Sequence, residues 1–140
     1  MVTYTSSSVK DTEDIAKKIM DSIPEGKNVL CLFGDLGSGK TELTKGIAKA
    51  LEIRDFKVKS PTFTFIREYK YTKGTIFHID LYRLEGKDDL LLEQIEEMIN
   101  QKGAIVVIEW AEKIKDDLPD NRLDVCFEYI DPTSRKITVF

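Results

Sequence analysis

The run Gly34-Asp35-Leu36-Gly37-Ser38-Gly39-Lys40-Thr41 matches G-x-x-x-x-G-K-[ST] without a gap. Glycines suit a loop whose backbone N–H groups must turn inward around phosphate oxygens with no Cβ in the way. A helix opening at Lys40 would add its N-terminal N–H groups and the positive end of its dipole. Lys40 then supplies a mobile cation to the β- and γ-phosphates, and the Thr41 hydroxyl a ligand for Mg²⁺. Such a loop needs a carboxylate near the metal, at the end of a buried strand. Two acids qualify: Asp80, after Thr75-Ile76-Phe77-His78-Ile79, and Glu109, after Ile105-Val106-Val107-Ile108. Strand alternation puts His78, Asp80 and Tyr82 on one face. Which acid binds the metal and which orders the attacking water stays open at this point. Ser60-Pro61-Thr62-Phe63 offers hydroxyls that could reach the γ-phosphate as switch loops do, or it is a plain turn. His78, the only histidine, reads as a packed strand residue. Trp110, the only tryptophan, follows Glu109 directly.

The elements that must position these groups are legible from periodicity. Val29-Leu30-Cys31-Leu32-Phe33 is an unbroken apolar run of strand length, suited to a central strand covered on both faces. Leu43, Ile47, Ala50 and Leu51 then form one stripe of the helix that starts at Lys40. Upstream, Val2–Thr5 reads as an edge strand. Ser6-Ser7-Ser8 offers caps for a helix to about Ile23, with Ile15, Ala16, Ile19 and Met20 at helical spacing and Pro24 and Gly26 as its end. Phe63–Tyr71, a turn at 72–74 and Thr75–Asp80 read as an antiparallel hairpin. Asp88–Asn100 carries Leu91, Ile95, Met98 and Ile99 at helical spacing, with Gly103 as a stop. Ala104–Ile108 is a second apolar strand. Leu123, Val125, Phe127 and Tyr129 alternate before a turn at Asp131–Ser134 and a returning strand to Phe140. The expected fold is α/β: a P-loop NTPase-like three-layer domain over residues 1–140, with a mixed sheet of parallel core and antiparallel hairpins.

Bulk properties narrow the function further. The chain has 140 residues, 41% hydrophobic and 33% charged, enough for one core without disulfides. A net charge of −4 and a pI near 5.1 give no global positive field for nucleic acid. Cys31 and Cys126 lie in apolar runs with no metal-ligand spacing and read as buried small residues. Met1–Lys10 has no signal-peptide core, and no run reaches the ~18 apolar residues of a membrane span. A cytoplasmic protein with no membrane partner is expected.

Together with the loop at 34–41, Ser-Pro-Thr-Phe at 60–63, His-Ile-Asp-Leu-Tyr-Arg at 78–83 and Glu-Trp at 109–110 resemble the TsaE (YjeE) family in order and spacing. The resemblance covers nearly the whole chain. It implies an ATPase, with ATP and Mg²⁺ as cofactors, acting in synthesis of threonylcarbamoyladenosine at tRNA position 37. It implies TsaD and TsaB as partners, with tRNA met indirectly through their complex. It assigns Lys40 and Thr41 their P-loop roles, Asp80 and Glu109 the metal and hydrolysis site, Thr62 a switch-like segment, and Trp110 a place near the nucleotide. Ser38 stands where many relatives have alanine, and Ala111 where many have proline; neither change removes a functional group. For the base, the resemblance points to Ser8–Thr12 and to Ser134 and Arg135.

Other classes fit less well. A small-molecule or nucleotide kinase with a P-loop would add an arginine-bearing lid, but Arg54, Arg67, Arg83, Arg122 and Arg135 are scattered. A GTPase would carry an Asn-Lys-x-Asp motif, which does not occur. A nucleotide-dependent binding module with incidental hydrolysis overlaps the favoured reading.

Overall fold

A computed structural model describes residues 1–35, 39–53 and 66–140. In chain order its elements are β1 (Val2–Ser6), α1 (Val9–Asp21), β2 (Val29–Phe33), α2 (Lys40–Ala50), β3 (Ile66–Tyr71), β4 (Gly74–Asp80), α3 (Asp89–Ile99), β5 (Ile105–Glu109), a 3₁₀ segment (Ala111–Asp117), β6 (Arg122–Asp131) and β7 (Ser134–Val139). The strands form one sheet in the order β1-β7-β6-β2-β5-β4-β3. The inner strands β6, β2, β5 and β4 run parallel, and β3, β7 and β1 pair antiparallel at the two edges. This is the expected mixed sheet of an α/β fold.

Strand alternation divides the core into two layers. On one face Leu30, Leu32, Ile76, Val107, Leu123, Val125 and Phe127 meet Ile15, Ala16 and Ile19 of α1 and Leu43 and Ile47 of α2. On the other, Val29, Cys31, Phe77, Ile79, Val106 and Ile108 meet Leu91 and Ile95 of α3 and Ala111 and Ile114 of the 3₁₀ segment. Both faces of β2 are therefore covered, which is why its sequence is apolar without alternation. Cys31 is fully buried there, and burial pushes its thiol up to about 12. Cys126, expected to be equally buried, is only half-buried, because it lies with Arg122 and Asp124 on the face of β6 opposite the Leu123, Val125 and Phe127 layer, where neither apolar layer covers it.

The ends of the helices follow their caps. Ser8 accepts the N–H of Asp11 at 3.0 Å, and Asp11 accepts the N–H of Ser7 at 2.9 Å, a reciprocal N-terminal cap. Asp88 caps α3 through the N–H of Leu91, also at 3.0 Å. The expected strand start at Phe63 lies outside the described residues; Ile66–Tyr71 pairs with β4 as the hairpin reading requires. Gly103, expected as a helix stop, lies beyond the Asn100 C-cap that ends α3 and has a different role. Its φ is +74°, and an added Cβ would collide with the carbonyl oxygen of Lys73 in the β3–β4 turn. The 3₁₀ segment has no counterpart in the expected elements. No described helix is long and apolar enough to cross a membrane.

Helices α1 and α2 touch through Gly46, where an added Cβ would lie 2.8 Å from Ala16 Cβ and 3.1 Å from Glu13 Cα. Gly46→Ala should gain up to about 1 kcal/mol in helix propensity and lose about 1–3 kcal/mol to overpacking. The expected net result is a lower denaturant midpoint at unchanged slope. A midpoint at or above that of the wild type would contradict this close packing.

Candidate active site

The two acids reach the same side of the sheet by parity. Ile76 of β4 and Val107 of β5 face α1 and α2, so His78 and Asp80, and likewise Glu109, face that way too. Asp80 and Glu109 are register partners at the ends of adjacent parallel strands. Helix α2 starts beside those ends and brings Lys40, Thr41 and Thr44 toward the acids.

Glu109 is the best-held of these groups, at 2% exposure. Thr41 Oγ1 donates to its Oε1 at 3.3 Å, and Thr44 Oγ1 approaches its Oε2 at 3.5 Å while also bonding the Lys40 carbonyl at 3.0 Å. His78 Nε2 contacts the same Oε2. Asp80 is more open, and its Oδ1 accepts the N–H of Tyr82 at 3.1 Å. Thr41, Asp80 and Glu109 line a cavity of about 310 Å³ together with Gly39, Lys40, Glu42, Tyr82 and Trp110, while Thr44 and His78 lie behind it.

Lys40 is 4% exposed. Its Nζ donates to the Gly34 carbonyl and lies 3.4 Å from the centre of the Trp110 ring. Burial lowers its pKa, and the charges of Glu112, Glu109, Asp80 and Asp35 oppose that effect. Trp110 reaches the ammonium because its own backbone is left-handed, at φ 60° and ψ 41°. That conformation costs a non-glycine residue roughly 1–2 kcal/mol. It turns the chain sharply off β5 and sets Trp110 against Lys40 and Tyr82, the two rings 5.2 Å apart. Gly39 is also left-handed, at φ +107°, where α2 begins. An added Cβ there would sit 3.8 Å from Phe127, and any L side chain would be strained.

Of the residues expected in the site, Gly34, Asp35, Gly39, Lys40, Thr41, Asp80, Glu109 and Trp110 come together at this end of the sheet. Leu36, Gly37, Ser38 and Thr62 lie outside the described residues. Three participants were not foreseen. His78 is packed, as expected, but against an acid of the site. Thr44 lies three residues after Thr41, and that helical spacing was the available signal. Glu112 carried no signal, since only the turn at Trp110 returns it to the loop. There the backbone N–H of Gly34 donates to its carboxyl group. Partial burial raises the Glu112 pKa, while Lys40 and that hydrogen bond act against the rise.

The donor set suits a hard cation. It consists of the Thr41 hydroxyl, which can ligate directly, and two carboxylates placed to hold coordinated water, with room for phosphate oxygens, and Mg²⁺ at nucleotide sites keeps several waters in this way. Among the described residues no cluster of three or more His, Cys, Asp or Glu could hold a metal by itself.

Residues 6–137 match the family described as threonylcarbamoyl adenosine biosynthesis protein TsaE. A tRNA threonylcarbamoyladenosine biosynthesis protein TsaE of Aquifex aeolicus is 37% identical over 136 residues, 95% of this chain and 91% of that protein. One of Bacillus subtilis is 37% identical over 129 residues, covering 92% and 78%. The crystal structure of YdiB from Bacillus subtilis superposes with a TM-score of 0.71 at 31% identity, covering 99% of this chain and 83% of that one. The likeness extends over the strands and helices that carry Lys40, Asp80 and Glu109, and the chain belongs to the TsaE family of tRNA threonylcarbamoyladenosine biosynthesis.

Proposed function

We propose that this chain binds ATP with Mg²⁺ at the cavity between α2 and the ends of β4 and β5 and hydrolyses it. In this reading it acts in the cytoplasm with TsaD and TsaB in the modification of tRNA at position 37. The observation that carries the proposal is the approach of Thr41 to Glu109, 3.3 Å apart at the head of α2, with Lys40 one residue earlier and Asp80 on the next strand.

The chain's own groups divide the work. Backbone N–H groups at the start of α2 and the Lys40 ammonium neutralise phosphate charge. To reach phosphate, Lys40 leaves the Trp110 ring and the Gly34 carbonyl. The Thr41 hydroxyl donates a hydrogen bond to Glu109 and keeps an oxygen lone pair for the metal, so Glu109 steadies that ligand. Asp80, closer to solvent, orients the attacking water. Bound Mg²⁺ supplies positive charge where the leaving phosphate gains negative charge.

Because Lys40 lies on Trp110, Mg²⁺ with ADP should produce a saturable change in tryptophan fluorescence, and Lys40→Ala should weaken that response while keeping the fold. Identical titrations in both proteins would contradict the placement of Lys40 at the phosphates.

The chemistry is mostly electrostatic positioning, so Asp80→Asn and Glu109→Gln should each lower kcat by about 10²–10³-fold. Chelation of Mg²⁺ should abolish turnover. Wild-type rates in both folded variants would remove these acids from the reaction.

With a net charge of −4, the chain alone should bind tRNA weakly and turn over ATP slowly. TsaD and TsaB should raise the rate, as partners do for other P-loop proteins by about 10³–10⁵-fold. ATPase assays of the chain alone, then with TsaD, TsaB and tRNA, read this directly. Fast turnover indifferent to the partners would point to a self-contained ATPase.

A further inference from the structure

We infer that His78 is a positioning residue for Glu109: its Nε2–H holds Oε2 of that carboxylate so that Oε1 stays turned to Thr41. The inference rests on the nucleotide-site reading above and adds a residue to it.

The geometry separates the two oxygens of Glu109. Among the described residues Oε1 meets the Thr41 hydroxyl, the metal-side group. Oε2 meets Thr44 and His78, both behind the site and both buried. His78 reaches it because β4 and β5 are parallel neighbours. Asp80 is opposite Glu109, and His78, two residues earlier on the same face, is opposite Val107. The imidazole and the glutamate span that diagonal. The Thr44 contact, at 3.5 Å, is too long to hold the group firmly by itself. Without His78 the carboxylate could rotate, exchange its oxygens and release Thr41. A histidine that merely filled core space would not need to present a nitrogen to a buried acid, and it would act on fold stability alone.

The test exploits two single residues, Trp110 and His78, each the only one of its type in the chain. Trp110 fluorescence is titrated with Mg²⁺ at fixed ADP, and with ADP in the presence of EDTA. His78→Leu, which keeps bulk and loses the donor, should raise the Mg²⁺ concentration for half the response at least tenfold. Binding of metal-free ADP should stay within about twofold. His78→Gln, which can return an N–H near the Nε2 position, should stay within threefold of wild type. Equal Mg²⁺ dependence in wild type and His78→Leu, or equal defects in the Leu and Gln variants, would overturn the inference. A wild-type protein with no Mg²⁺-dependent response would overturn the nucleotide-site reading and the role given to His78 with it. The ligand-free imidazole provides a readout that does not need the Leu variant to fold. Its Nε2-bound proton should exchange slowly in NMR spectra and shift in Glu109→Gln. A freely exchanging proton unmoved by that substitution would remove the contact itself.

Discussion

Glu109 is a carboxyl group withdrawn from water, and the rest of the site is arranged around that fact. Burying such a group costs several kcal/mol unless its oxygens are hydrogen-bonded. Here the partners come from two elements, His78 from β4 and Thr41 and Thr44 from α2. They can converge only if β5 lies between β2 and β4, all three parallel, with α2 returning along the face that Glu109 occupies. The sheet order provides that arrangement. The two apolar layers make the order stable, and the acid makes it chemically useful.

A second constraint lies one residue later. Trp110 holds a backbone conformation that glycine would adopt more easily, and in return its ring covers the Lys40 ammonium. The lysine is thus kept in place by a ring face and a carbonyl, with the Glu112 carboxyl nearby. These contacts are moderate in strength. A polyphosphate offers the same cation a stronger, charge-assisted partner, so the contacts can be given up when a ligand arrives. On the proposed nucleotide reading, the strain at Trp110 and the burial of Lys40 prepare that exchange.

Most of the fold was legible because its signals are local. The apolar runs of β2 and β5, the helical stripes of α1 and α3, and the Ser8 cap each depend on neighbouring residues. The main strand ends were equally legible, since a glycine-rich loop after one strand and acids ending two others are visible without tertiary information. What escaped depended on long-range geometry. Nothing near Glu112 reveals that a left-handed tryptophan will fold it back to Gly34. His78 looked like a core histidine because the diagonal between β4 and β5 exists only once their register is set. Gly103 read as a helix stop, yet α3 ends at the Asn100 cap, and Gly103 instead lets the connection into β5 approach Lys73 of the β3–β4 turn.

In the proposed function Lys40, Thr41, Asp80 and Glu109 form one Mg²⁺-nucleotide site. The most direct measurement is a crystal structure of the chain with Mg²⁺ and a non-hydrolysable ATP analogue. Lys40 Nζ should have moved from Trp110 to the β- and γ-phosphates, with a metal about 2.1 Å from Thr41 Oγ1 and Glu109 still bonded to that hydroxyl. A nucleotide seated elsewhere, or one bound here with Lys40 still on Trp110 and the metal away from Thr41, would contradict it.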